Sequence, residues 1–200
     1  MPKVGMQPLR KRQLIEATIA TIHEVSFQDA TVARIARRAG LSPGIIAHYF
    51  GGKDALLAAT MRQLLSDLMR DATARLAAAR TPLERVEAVV AANFGPAQFN
   101  AEIIAAWFAF WGQVPYSPEL RRINRVYMRR TRANLAHALK QTTTPDAAAR
   151  IAGMAACLID GIWVRAALGE GTPDAAAAHA GVMTYVRQAL AADNGEGDGL

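Results

Sequence analysis

Apolar residues recur along this chain at intervals of three and four, the period of helices that face a core. Leu14, Ile15, Thr18, Ile19 and Ile22 put such a stripe on a helix over residues 10–24. Leu56, Leu57, Thr60, Met61, Leu64, Leu65, Leu68 and Met69 run another along a long helix over about residues 53–80. Breaks at Pro82, Gly95-Pro96, Val114-Pro115, Thr142 to Asp146 and Gly169 to Pro173 then delimit five more helices. Their spans are near 82–94, 100–113, 118–140, 146–168 and 173–192. Thr144-Pro145-Asp146 supplies a ready cap and helix start. Runs of β-branched residues bounded by turns are missing and alanine is abundant, so the pattern predicts an all-α protein. Residues 1–9 hold two prolines and a glycine and read as an extended arm; residues 193–200 are rich in Gly and acid and read as a disordered tail.

Between the first helix and the long one the periodicity shortens. Residues 31–57 read TVARIARRAGLSPGIIAHYFGGKDALL. Ala33, Ile35, Ala36, Ala39 and Leu41 are the packing positions of a short helix, and Arg34, Arg37 and Arg38 lie off that stripe. Thr31 can cap this helix, and Gly40 suits the left-handed residue that ends it. Ser42 as N-cap and Pro43 at the first position start a second short helix. Ile45 and Ile46 of that helix turn inward with Phe27, Ile35, Tyr49 and Phe50. Ser42, Pro43, Gly44, Ala47 and His48 stay outside, small enough for the backbone to approach base edges. This is a helix-turn-helix, and it predicts sequence-specific DNA binding. Arg10, Lys11, Arg12, Thr31, Tyr49 and Lys53 are the expected phosphate or groove-edge contacts, with Arg34 a further base contact. Lys53 opens the next helix, where the dipole already favours an anion.

The same letters permit one catalytic alternative. Gly40-Leu41-Ser42-Pro43-Gly44 matches the G-x-S-x-G nucleophile elbow, and Asp160 and His179 follow in hydrolase order. That elbow requires a preceding strand. ARIARRA is helical in spacing, so no catalytic residue is expected, and a helical hydrolase using Ser42 is set aside. A non-specific architectural DNA binder is a third class; it would grip random and palindromic DNA equally.

Composition narrows the class further. Two hundred residues, 52% of them hydrophobic, make one compact unit or two small ones. The formal net charge is +6, with Lys3, Arg10, Lys11, Arg12, Arg34, Arg37, Arg38 and Lys53 crowding the first quarter. Arg121, Arg122, Arg125, Arg129, Arg130 and Arg132 form a second cluster, expected as a solvated or acid-paired face. The single cysteine, Cys157, is expected as a small buried hydrophobe. No signal segment and no apolar stretch of membrane-spanning length is read, which predicts a soluble, cytoplasmic protein. The four histidines (His23, His48, His137, His179) show no metal spacing, and no cofactor is expected.

The pattern T-x-x-x-I-A-x-x-A-G-x-S-x-G-x-I-x-x-Y-F-x-x-K-x-x-L over residues 31–56 resembles the TetR family of bacterial transcriptional regulators. Residues 105–111 (AAWFAFW), residues 158–168 (LIDGIWVRAAL) and the opening MPKVGMQPLRKRQLI are similar to a choline-sensing branch, which controls glycine betaine synthesis genes. The resemblance implies a DNA-binding head over residues 1–52 and a ligand-binding and dimerisation body over residues 53–192. It implies about nine helices and a homodimer through the last two. Two recognition helices would then enter successive major grooves about 34–36 Å apart. It also implies a repressor released or modulated by its effector; another small hydrophobic or cationic ligand is the alternative to choline.

A quaternary ammonium has no N–H to donate, so aromatic faces and a carboxylate must hold it. Trp107 and Trp111 lie four apart on one helix, and Tyr127 and Trp163 are further candidates. Tyr116 is another, Phe108 and Phe110 read rather as core, and Phe94 closes the preceding helix. Asp160, alone in an apolar run and three residues before Trp163, is the expected counter-charge, or else the partner of an arginine from the basic helix. Glu102 is a second, weaker carboxylate.

Overall fold

The computed structural model describes residues 6–169 and 172–196. Among the described residues it has nine α-helices, one short 3-10 helix and no strand. The helices are α1 (Met6–Asp29), α2 (Val32–Arg38), α3 (Gly44–Phe50), α4 (Lys53–Ala78), α5 (Pro82–Asn93), α6 (Ala101–Gln113), α7 (Pro118–Leu139), α8 (Pro145–Leu168) and α9 (Ala175–Glu196). The 3-10 helix is Val114–Tyr116.

These helices fall into two compact units. One comprises Met1–Leu64 and Ala101–Asn124. In it α1 packs on α6 and α2, and α2 on α3. Leu14, Ile35, Ile46, Leu56, Leu57, Met61 and Phe110 are its fully buried side chains. The other comprises Leu65–Asn100 and Arg125–Leu200. There α9 packs on α8 and α5, around Leu135, Leu139, Ile151, Ile159 and Met183. The first unit takes in α6 along with the helix-turn-helix. The reason is that α6, distant in sequence, packs on α1.

The caps mostly fall where local chemistry puts them. Thr81 and Glu84 form a capping box on either side of Pro82, and the Thr144 hydroxyl accepts from the Ala147 N–H at 3.3 Å. The termini correct two expectations. Residues 6–9, expected within the extended arm, already belong to α1, and residues 1–5 lie outside the described part. Residues 193–196, expected as tail, continue α9. Asp193 holds it there, accepting from Thr143 Oγ1 and, at 3.2 Å, from Arg150. The remaining residues of the expected tail, 197–200, lie outside the described part.

Two further expectations about α8 change. Cys157 is exposed rather than buried. The helix itself is long and apolar enough to cross a membrane by length and composition, contrary to the sequence expectation. Its Ala147, Ala148, Ile151, Ala152, Ala155, Ile159 and Trp163 are buried within the fold, while most of the apolar window is not.

Helix α1 is kinked at Ser26, which has φ 72° and ψ 166°. Side chains other than hydrogen rarely tolerate that region, and such a residue stores about 1–3 kcal/mol of strain. Ser26→Gly is therefore expected to raise unfolding free energy by about 1 kcal/mol, the strain relieved less the extra chain entropy of glycine. Urea denaturation measures it; an unchanged or lower midpoint would show that the backbone there is not strained.

Candidate functional site

Thr31 caps α2 as expected: its hydroxyl accepts from the Arg34 N–H at 3.3 Å. At the other end Gly40 takes φ 67°. Its N–H bonds the Arg37 carbonyl, and the Leu41 N–H reaches back to Ala36 at 2.9 Å. That paired arrangement is the Schellman stop, and it turns the chain sharply into α3. Ser42 behaves differently from expectation. The Ile45 N–H bonds the Ser42 carbonyl at 3.1 Å rather than its hydroxyl, and Pro43 is already helical. The Ser42 hydroxyl is thus left on the outside of the turn.

Ile46 is fully buried and anchors α3, while Ile45 is half-buried. Ser42, Pro43, Gly44, Ala47 and His48 are all exposed, on the face expected to meet bases. A methyl group built on Gly44 would meet nothing within 4 Å, so the backbone there is open to a close partner. Tyr49 is half-buried, its ring 5.0 Å from that of His48. Arg12 and Arg34 are exposed, and Arg10 and Lys11 are half-exposed. Arg12 pairs with Glu16 at 2.9 Å, a surface bond weak enough to be exchanged for a phosphate. Helix α2 leads directly into Gly40-Leu41-Ser42-Pro43-Gly44, so the strand that a nucleophile elbow needs is not there.

Lys53 has a role that the sequence did not reveal. Its Nζ donates to the backbone carbonyls of Phe27 and, at 3.2 Å, of Gln28, and sits 4.2 Å from the centre of the Phe27 ring. Burial lowers its pKa, with Asp54 and then Asp29 opposing the shift. The ammonium therefore ties the start of α4 to the end of α1. One N–H of three is left for a phosphate.

The five expected ligand residues divide between the two units. Trp107 and Trp111 belong to the first, with ring centres 5.4 Å apart; Trp107 also meets Phe110 edge-on at 5.7 Å. Phe110 is core, but Phe108 is 42% exposed and Tyr116 82%, which removes both from any enclosed site. Glu102 is exposed as well.

Tyr127, Asp160 and Trp163 belong to the second unit, where Tyr127 meets Asp160 and Trp163 follows Asp160 by one helical turn. The Tyr127 hydroxyl donates to Asp160 Oδ1 at 2.9 Å. The carboxylate's partner from α7 is thus a phenol, not one of that helix's arginines, all six of which are exposed. Burial pushes the Asp160 carboxyl above the usual range, and the hydrogen bond from Tyr127 works against that shift. Burial, then the Asp160 charge, pushes the Tyr127 phenol well up. One turn beyond Asp160, buried Trp163 meets the Phe99 ring edge-on at 5.3 Å, and Phe99 meets Phe94 at 5.1 Å.

Phe99 and its neighbour Gln98 were not singled out from the sequence. They lie in the turn after α5, where the Gln98 and Phe99 N–H groups both bond the Gly95 carbonyl. Only their burial, at 4% and 5% exposure, marks them. The chemistry present is one half-buried carboxylate that accepts from a phenol, and a group of aromatic rings that begins one helical turn further along α8. Among the described residues no group of three or more His, Cys, Asp or Glu converges as a metal site would need.

Residues 14–60 match the tetR family of bacterial regulatory proteins, and residues 82–191 match the C-terminal region of BetI-type transcriptional repressors. The HTH-type transcriptional regulator BetI of Brucella suis is 50% identical over 186 residues, covering 93% of this chain and 94% of its own. Among solved structures, a transcriptional regulator from Pseudomonas aeruginosa PAO1 superposes with a TM-score of 0.78 at 29% identity, over 92% of this chain and 91% of its own. A regulator from Saccharomonospora viridis, solved in complex with choline, superposes with a TM-score of 0.75 over 88% of this chain and 95% of its own. At 18% identity that likeness is one of fold. With a helix-turn-helix at one end and a BetI-type region over most of the rest, the chain belongs to the TetR family and is a DNA-binding transcriptional repressor of BetI type.

Proposed function

We propose that this repressor senses choline and controls genes for glycine betaine synthesis. The observation that carries the reading is the Asp160–Tyr127 pair beside Trp163 and Phe99. A permanent cation without N–H groups is recognised by aromatic rings together with a balancing carboxylate, each ring contributing roughly 0.5–2 kcal/mol. We assign ligand contact to Tyr127, Asp160 and Trp163, with Phe99 added as a further aromatic wall. A regulator of the same fold, from Saccharomonospora viridis, was solved in complex with choline, which favours a ligand of this kind.

Regulators of this family bind operator DNA and small effectors, typically as dimers in the bacterial cytoplasm. For this chain we assign the dimer contact to α8 and α9. Met154 and Leu168 of α8 are 51% and 67% exposed, and Cys157 and Gly161 lie outside on the same helix. On α9 the small residues Ala176, Ala177, Ala180 and Gly181 are exposed and permit close helix approach. On DNA, Ser42, Pro43, Gly44, Ala47 and His48, with Arg34, would meet bases. Arg10, Lys11, Arg12, Thr31 and Tyr49 would hold phosphates, with Lys53 adding at most one N–H.

Titrating choline against tryptophan fluorescence tests the ligand. Saturable quenching that Trp163→Phe diminishes is the expected result. No response to choline, with calorimetry equally silent, would remove choline as the effector.

A further inference from the structure

Gln98 is 4% exposed, and its Oε1 is buried with no hydrogen-bond partner among the described residues. A buried acceptor left unmatched is costly, and native proteins rarely keep one without a use. Gln98 immediately precedes Phe99, whose ring meets Trp163, and Trp163 follows Asp160 by one helical turn. The turn that carries it is fixed, because the Gln98 and Phe99 N–H groups share the Gly95 carbonyl at 2.9 and 2.8 Å. The backbone therefore holds the side chain in place without help from the amide oxygen.

We infer that Gln98 Oε1 accepts the hydroxyl of the bound ligand, making the site specific for a quaternary ammonium alcohol rather than for any quaternary ammonium. This rests on the choline reading above. The cation end is assigned to Asp160 and the rings; the rings do not distinguish an alcohol from an alkyl chain of equal size, and the carboxylate is engaged by Tyr127 and by the cation. Gln98 Oε1, on the residue before Phe99, would supply that distinction, because an alkyl analogue would leave it buried and unpaired. Sites that hydrogen-bond a ligand hydroxyl discriminate for this reason.

The experiment compares choline with propyltrimethylammonium, which replaces the hydroxyl by a methyl group, by calorimetric titration of the full chain. Wild-type protein is expected to prefer choline by about 10–100-fold. Gln98→Met keeps the shape and removes the acceptor, and should bring the ratio near unity by weakening choline alone. Gln98→Glu keeps an acceptor and should retain the preference. Equal wild-type affinity for the two cations would overturn the inference whatever the variants do. So would a preference that survives Gln98→Met, or one lost equally in both variants. Silence towards both cations would instead overturn the choline reading itself, so the two failures are distinct.

Discussion

Asp160→Asn is expected to weaken choline binding about 30–100-fold while leaving operator binding without ligand unchanged. At a separation near 4 Å and an effective dielectric near 20, opposite unit charges attract by about 4 kcal/mol. Asp160 is only partly enclosed, so part of that is screened, leaving roughly 2–3 kcal/mol. Asparagine keeps the size and still accepts from Tyr127, so the loss reports charge. The pH dependence has the same origin. Burial raises the Asp160 pKa, so protons compete with choline on the acid side. Affinity is full above that raised pKa and falls as pH drops through it. Stability of the ligand-free protein runs the other way. The folded state binds the proton more tightly than the unfolded chain, so stability declines as pH rises from the ordinary carboxylate pKa to the raised one. Asp160→Asn should flatten both dependences and leave the free protein at least as stable near neutral pH. Calorimetric titration from pH 5 to pH 8 measures the first dependence. An affinity unchanged by the substitution would exclude Asp160 from the cation site.

The second large effect is expected at Lys53. Lys53→Met keeps the hydrocarbon stem and removes the ammonium from the Phe27 and Gln28 carbonyls and from the Phe27 ring. Hydrogen bonds from a charged donor contribute about 1.5–3 kcal/mol each and an exposed cation–π contact about 0.5–1 kcal/mol. With partial exposure the expected loss is about 2 kcal/mol in urea unfolding. Operator affinity should fall as well, because the α1–α2 connection that the clamp holds also positions Thr31. The salt slope separates the two possible causes. Loss of one phosphate contact lowers it by about one unit. Loss of the clamp leaves the slope nearly unchanged while the unfolding midpoint drops. The geometry predicts the second outcome, and a changed slope with unchanged stability would contradict it.

What the sequence revealed, and what it hid, follows from the range of the interactions. The helix-turn-helix was legible almost residue by residue, because caps and turns are local chemistry. Thr31 and Gly40 do what their side chains and backbone freedom permit. Ser42 misled by only one step, since an equally good cap was available from its carbonyl. Asp160 was legible as a carboxylate in apolar company, but its partner was not. Tyr127 reaches it from 33 positions away, and arginines were the more obvious candidates on the same helix. Gln98 and Phe99 sat in a turn whose Gly-Pro signal said only that a helix ended. The packing of α6 on α1 and the tie between Lys53 and Phe27 are likewise long-range. Cys157 reads as a buried hydrophobe because periodicity does not tell which side of a mostly apolar helix faces outward.

The central claim is that one chain couples operator binding to choline. Operator affinity measured by fluorescence anisotropy, without choline and with choline at saturation, tests it most directly. A coupling of ~1–3 kcal/mol predicts affinity reduced about 5- to 150-fold, with Asp160→Asn shifting the response to higher choline. Identical operator affinity in both conditions would contradict the account.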